Sequence, residues 1–149
     1  MRIYLDVCCL NRPFDDQTVD RNYMESKAVL VILSRMEEGE WKWVSSEIVD
    51  YEISKTPNVR RIQNINQLIG NADECIAVTR EIVNRAKEIE TVGFEPFDAI
   101  HLACAEHAKA DIFLTTDDKL IRKASQKKEL DVRISNPLDW LQEGFQDED

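Results

Sequence analysis

Apolar runs too short for helices recur along this chain, separated by longer segments with helical spacing. The runs are Ile3-Tyr4-Leu5-Asp6-Val7, the alternating Trp41, Trp43 and Val44, Cys75-Ile76-Ala77-Val78, Ile112-Phe113-Leu114-Thr115, and a weaker Val132-Arg133-Ile134. Their β-branched and aromatic content reads as strands. Between them, apolar residues return every three or four positions: Met24, Ala28, Val31, Leu33 and Met36, with Gly39 closing the helix. Ser46 is placed to cap a helix running to about Ser54, with Glu47 and Asp50 near its positive end. Further helices are predicted from Val59 to Gly70, from Thr79 to about Glu90, from Pro96 to about Ala108, around Leu120, Ile121 and Ala124, and from Pro137 onward. Strands alternating with helices predict a central, mainly parallel sheet with helices on both faces, a three-layer α/β/α sandwich. In such folds ligands sit at the carboxyl ends of the strands, where strand order reverses.

With 149 residues, 43% of them hydrophobic, residues 1–149 read as one domain that needs no disulfide or structural metal. Four Gly and four Pro leave no room for a flexible linker or a low-complexity segment. The acidic stretch from about 144 to 149 is expected to fray. No apolar run reaches membrane-spanning length and no signal core opens the chain. Cys8, Cys9, Cys75 and Cys104 have apolar neighbours and no zinc or C-x-x-C spacing, so reduced thiols in a cytoplasmic protein are expected. The net charge of −10 argues against a protein that coats nucleic acid by phosphate neutralisation. It is compatible with an enzyme whose carboxylates converge on divalent cations.

Placed on the predicted scaffold, several acids gather. Asp6 ends the first strand and Asp117 lies just past the fourth. Asp98 falls in the first turn of the Pro96 helix, and Glu52 lies in the helix after the second strand. If the first and fourth strands are neighbours, Asp6 and Asp117 share one rim of the sheet. Two carboxylates about 4 Å apart repel by roughly 4 kcal/mol at an effective dielectric near 20, so such a cluster needs protons or cations. Oxygen-only ligation selects hard ions, Mg²⁺ or Mn²⁺. Those ions suit phosphodiester hydrolysis.

At these positions the sequence resembles the PIN-domain ribonucleases, including the VapC-like toxins of bacterial and archaeal toxin–antitoxin pairs. The matching stretches are Ile-Tyr-Leu-Asp6, Ser45-Ser46-Glu47-Ile-Val-Asp-Tyr-Glu52-Ile, Phe97-Asp98-Ala-Ile-His-Leu-Ala-Cys-Ala105, and Phe-Leu-Thr115-Thr116-Asp117-Asp118-Lys-Leu120. The resemblance implies a PIN-like sandwich and an acidic quartet of Asp6, Glu52, Asp98 and Asp117 holding Mg²⁺ or Mn²⁺. It implies in-line attack of a metal-activated water on an RNA phosphodiester. Asp6, Asp98 and Asp117 would be direct ligands, while Glu52 would bind a second ion or position the water. Thr115, two residues before the last acid, would orient Asp117 by a hydrogen bond. A homodimer and a small antitoxin partner are further implications.

Each residue also has an ordinary reading. Asp6 suits a turn cap, Asp98 suits the dipole of its helix, and Glu52 suits an exposed helical face. Asp117 and Asp118 compete, since either can ligate while the other caps the next helix. His101, one turn after Asp98, reads as a buried, hydrogen-bonded histidine, and Trp41 and Trp43 read as packing residues. Lys55, Arg60 and Arg61 form the better of two basic groups for gripping RNA; the other is Arg122, Lys123, Lys127 and Lys128. Asn11 opens a loop to Asp16 beside Asp6, placed to contact either the substrate or a ligand of Asp6. Rival functions are a non-catalytic PIN-fold module acting through protein or RNA contacts, and another Mg-dependent phosphohydrolase. A dehalogenase-type phosphatase would want an acid where Cys8 stands, and no phosphate-binding glycine loop occurs.

Overall fold

The computed structural model describes residues 1–147. Five parallel strands form one sheet: β1 (Arg2–Leu5), β2 (Lys42–Ser46), β3 (Glu74–Ile76), β4 (Ile112–Leu114) and β5 (Arg133–Ser135), in the order β3-β2-β1-β4-β5. Eight α-helices connect or flank them: α1 (Val7–Asn11), α2 (Asp20–Glu37), α3 (Glu47–Ser54), α4 (Val59–Ile69), α5 (Arg80–Thr91), α6 (Pro96–His107), α7 (Asp118–Ser125) and α8 (Pro137–Asp147). The chain winds from β1 outward to β3, then returns to β4 on the other side of β1. Because such crossovers are right-handed, the two winding directions put their helices on opposite faces, giving the three-layer sandwich. Strand order therefore reverses between β1 and β4. Their register pairs Tyr4 with Phe113 and Leu5 with Leu114.

Burial explains the strand composition. Ile3, Tyr4, Leu5, Val44, Ile112, Phe113 and Leu114 are covered on both sides, as expected for central strands of a parallel sheet. The Tyr4 and Phe113 rings stack at 5.2 Å. β3, at the edge, leaves Glu74 and Cys75 exposed. Among the described residues no helix is long and apolar enough to cross a membrane.

Several boundaries differ from the sequence reading for identifiable reasons. Val7 belongs to a helix rather than to the first strand, because Asp6 caps α1 by accepting a hydrogen bond from the Val7 N–H. The Asn11–Asp16 segment contains a 3₁₀ turn over Arg12–Phe14, started by Pro13. Ser46 precedes α3 but makes no side-chain cap; its hydroxyl is drawn to Tyr4 instead. Gly39 ends the α2 region with φ +84°, a left-handed conformation that glycine adopts without strain. The face of α2 is rotated: Glu25, Ser26, Ala28, Val29, Ile32 and Met36 are buried, while Met24 and Val31 are exposed. α8 is assigned from Pro137 to Asp147; residues 148 and 149, part of the tail expected to fray, lie outside the described residues.

Candidate metal centre

Asp6 stands at the carboxyl end of β1, next to β4, at the switch point. Its backbone N–H continues the ladder to the Leu114 carbonyl (2.9 Å), and the Thr115 N–H reaches the Ser135 carbonyl (3.0 Å). Both residues are thus held on the rigid sheet rim. The Asp6 carboxylate is buried; Oδ1 caps α1 at 2.8 Å, and Oδ2 accepts from the Thr115 hydroxyl at 2.8 Å. The Cys8 thiol approaches the same Oδ2 at 3.6 Å. The capping reading and the site reading of Asp6 therefore both apply.

Thr115 bonds to Asp117 as expected, through the main chain, and to a second acid as well. Its hydroxyl donates to Asp6, not to the Asp117 side chain, and accepts from the Asp117 backbone N–H at 3.1 Å. One hydroxyl thereby orients one acid and fixes the main chain of another. Asp117 is the N-cap of α7, with Oδ1 accepting from the N–H groups of Lys119 (3.0 Å) and Leu120 (3.2 Å). Asp118 points elsewhere, into a two-oxygen pairing with the Arg21 guanidinium (2.8 and 2.9 Å). Asp117, whose charge acts on Asp98, is the acid that the fold turns toward the others.

Asp98 lies in the first turn of α6, opened by Pro96. Among the described residues no group donates a hydrogen bond to its carboxylate. Burial first, then the charges of Asp6 and Asp117, with a smaller contribution from Glu52, push its carboxyl up to about 6; His101 opposes the shift. Glu52, on α3, is partly exposed and accepts at Oε1 from His101 Nε2 at 2.8 Å. His101 is buried and lies 3.9 Å from Asp6 Oδ1. Desolvation disfavours its cation, but the Glu52 hydrogen bond and the charges of Asp6, Glu52 and Asp98 outweigh that, so its pKa is raised.

The fold brings Asp6, Asp117 and Glu52 close enough for their charges to act on Asp98. As the side chains stand, no three His, Cys, Asp or Glu groups among the described residues are close enough to enclose an ion. Uncompensated carboxylates at such a rim repel one another. The donors themselves fit a hard divalent ion: they are oxygens, and Asp98 carries a desolvation and repulsion cost that no protein donor offsets.

The substrate candidates divide. Arg61 is spent on the 3₁₀ turn: it pairs with Asp15 (2.8 Å), donates to the Phe14 carbonyl (2.5 Å) and reaches the Asn11 side chain (3.3 Å). Asn11 is occupied by Arg61 and by the Val7 carbonyl. Lys55 lies 5.1 Å over the Tyr51 ring, and Arg60 is exposed. Trp43 is buried in the sheet, and Trp41 packs edge-on against Trp140 at 5.0 Å.

Sequence reasoning missed a charged ladder flanking the site. Glu25, almost fully buried, is bridged by Arg12 (2.8 Å) and Arg21 (3.2 Å) and accepts from Asn136. Arg12 also pairs with Asp15, and Arg21 continues to Asp118 and the Thr116 carbonyl. This ladder ties the 3₁₀ turn, α2, the start of α7 and the start of α8 together. The sequence reading placed a different face of α2 inward, so nothing in it marked Glu25 as buried.

A parallel, doubly wound α/β sheet with acids converging at its switch point is the class that fold and site define. The PIN domain family matches residues 3–126, and the chain belongs to that family. No curated protein matches the sequence. Among solved structures, FitAcB from Neisseria gonorrhoeae is similar at 14% identity and TM-score 0.62, over 91% of this chain and 97% of that one. VapBC2 from Rickettsia felis, bound to a DNA fragment from its promoter, is similar at 16% identity and TM-score 0.59, over 91% and 100%. VapBC-1 from nontypeable Haemophilus influenzae is similar at 12% identity and TM-score 0.60, over 92% and 98%. At these identities the likeness is one of fold.

Proposed function

We propose that this chain is a Mg²⁺- or Mn²⁺-dependent endoribonuclease, acting as a homodimer and as the toxin of a toxin–antitoxin pair. The observation that carries the reading is Asp98: a half-buried carboxylate without a protein donor among the described residues, its pKa raised first by burial and then by the charges of Asp6, Asp117 and Glu52 at the sheet's switch point. Repulsion of that kind is relieved by a cation, and membership of the PIN family makes phosphodiester hydrolysis the matching chemistry. A divalent ion bound there neutralises phosphoryl charge and acidifies water. The protein's own groups do the rest. Asp6, Asp98 and Asp117 supply ligand oxygens, Thr115 holds Asp6 and the Asp117 main chain, and Glu52 orients the attacking water or a second ion. Of Lys55, Arg60 and Arg61, the exposed Lys55 and Arg60 remain for the RNA backbone. The assembly of the similar proteins as VapBC and FitAB complexes supports a small antitoxin as partner.

The test is cleavage of a mixed pool of structured RNAs with Mn²⁺ or Mg²⁺, against EDTA and Asp98→Asn controls. Cuts that vanish in both controls support the reading; a wild-type protein that binds no Mn²⁺ by calorimetry overturns it. Thr115→Val is expected to weaken Mn²⁺ binding about 10- to 100-fold by calorimetry, the usual loss when a ligand's supporting hydrogen bond is removed. Asp118→Asn, which touches only the Arg21 pairing, is expected to keep wild-type Mn²⁺ affinity in the same titration.

A further inference from the structure

We propose that His101, braced by Tyr4 and Ser46, is the positioning residue that holds the Glu52 carboxylate in place for the metal; this rests on the nuclease reading above. Glu52 is a long, partly exposed side chain near the end of the short helix α3, and among the described residues no hydrogen bond from its own helix reaches its carboxylate. The restraint arrives through the core. His101 Nε2 is 2.8 Å from Glu52 Oε1, and a carboxylate only accepts, so Nε2 carries the proton. On the other side of the ring, Nδ1 is 2.7 Å from the Tyr4 hydroxyl, which in turn is 2.7 Å from Ser46 Oγ. With a neutral imidazole, the phenol donates to Nδ1 and accepts from Ser46, so every bond in the chain runs toward Glu52.

The path is closed geometrically. Ser46 immediately precedes α3, Tyr4 lies on β1, His101 lies on α6, and Glu52 returns to α3. The chain thus spans the first and last turns of α3 and pins them to the two elements that carry Asp6 and Asp98. Tyr4 is immobilised by its stack on Phe113 and by the His101 ring edge-on at 5.8 Å. Tyr4, Ser46 and His101 are all buried, and each polar side-chain atom has a partner, which is the condition under which a buried polar network rigidifies its surroundings. Glu52 Oε2 is left without a protein donor among the described residues, available to a cation or water. The acids facing His101 are Glu52, Asp6 at 3.9 Å, and Asp98 one turn earlier on α6.

The experiment combines Mn²⁺ calorimetry with ¹⁵N NMR of the imidazoles in metal-free protein. The chain has two histidines, so a His107 variant assigns the spectrum. Wild type should show a protonated His101 Nε2. His101→Asn, whose amide cannot extend to the Nε2 position, should weaken Mn²⁺ binding about 10- to 100-fold, while His101→Gln, which places an N–H there, should restore most of it. In a Glu52→Gln background, His101→Asn should cost nothing further, because the effect passes through Glu52. Tyr4→Phe keeps the ring stack and removes only the brace. It should weaken Mn²⁺ binding in the same direction, and carries the test should His101→Asn not fold. Unchanged affinity in the folded variants, losses that add to that of Glu52→Gln, or an unprotonated Nε2 overturns the inference and leaves the nuclease reading standing. A wild type that takes up no Mn²⁺ overturns the nuclease reading, and the positioning role falls with it.

Discussion

Asp98→Asn is expected to lower RNA cleavage by more than about 100-fold while making the metal-free protein more stable. The first effect follows from loss of a ligand oxygen, which costs more than loss of a ligand's supporting bond. The second follows from the raised pKa. Asp98 titrates near its ordinary 3.8 in the unfolded chain and at about 6 in the folded one, through burial and the charges of Asp6 and Asp117. The folded state therefore binds the proton more tightly, and stability falls as pH rises from about 4 to about 6 and stays reduced above that. A shift of about two units corresponds to about 3 kcal/mol, and solvent screening of a half-buried group reduces this to about 1–2 kcal/mol. In EDTA at pH 7.5 the Asn variant should melt about 2–8 °C higher than wild type. The gain should vanish near pH 4. With Mn²⁺ present, wild type should recover the difference by mass action and the variant should gain less. Equal melting of the two proteins in EDTA at pH 7.5 would mean that Asp98 bears no uncompensated charge, and the principal support for a cation site would be lost.

Glu25→Ala is expected to destabilise the fold by about 3 kcal/mol, lowering Tm by about 6–12 °C. The buried carboxylate is the only acid that Arg12 and Arg21 share, and its removal leaves Asn136 Nδ2 without an acceptor. Each arginine retains one partner, Asp15 for Arg12 and Asp118 for Arg21, which sets the cost at the low end of the 3–5 kcal/mol range for broken buried pairs. Glu25→Gln, which keeps an acceptor oxygen and the volume, should lose less. Urea unfolding of the two variants measures both; a loss below about 1 kcal/mol for the alanine would remove Glu25 as the hub of the ladder.

Some of this was legible along the chain. Strand and helix order could be read because short β-rich runs and 3.6-residue periodicity are local properties, and they led to the α/β/α layering. The places of Asp6, Asp98 and Asp117 in the fold could be read because each sits at a strand end or a helix start, positions that turn chemistry and capping mark in one dimension. Less could be read where a polar side chain answers to a distant partner. Ser46 looked like a cap until Tyr4 claimed it, and the Thr115 hydroxyl, expected at its neighbour Asp117, also reaches across to Asp6, 109 positions away. Arg61 looked free for RNA and is engaged by the turn after α1.

By itself, the amino-acid order determined the elements, the burial of the central strands and the placing of acids at their ends, because periodicity and capping act over a few residues. Only the tertiary structure decided which of two adjacent acids, Asp117 or Asp118, turns toward the others. That choice rests on Arg21, almost a hundred positions earlier, whose guanidinium holds Asp118 and the Thr116 carbonyl. The same holds for His101 between Tyr4 and Glu52: hydrogen bonds are short-ranged in space and indifferent to separation along the chain, so their pairings exist only once the strands and helices have packed.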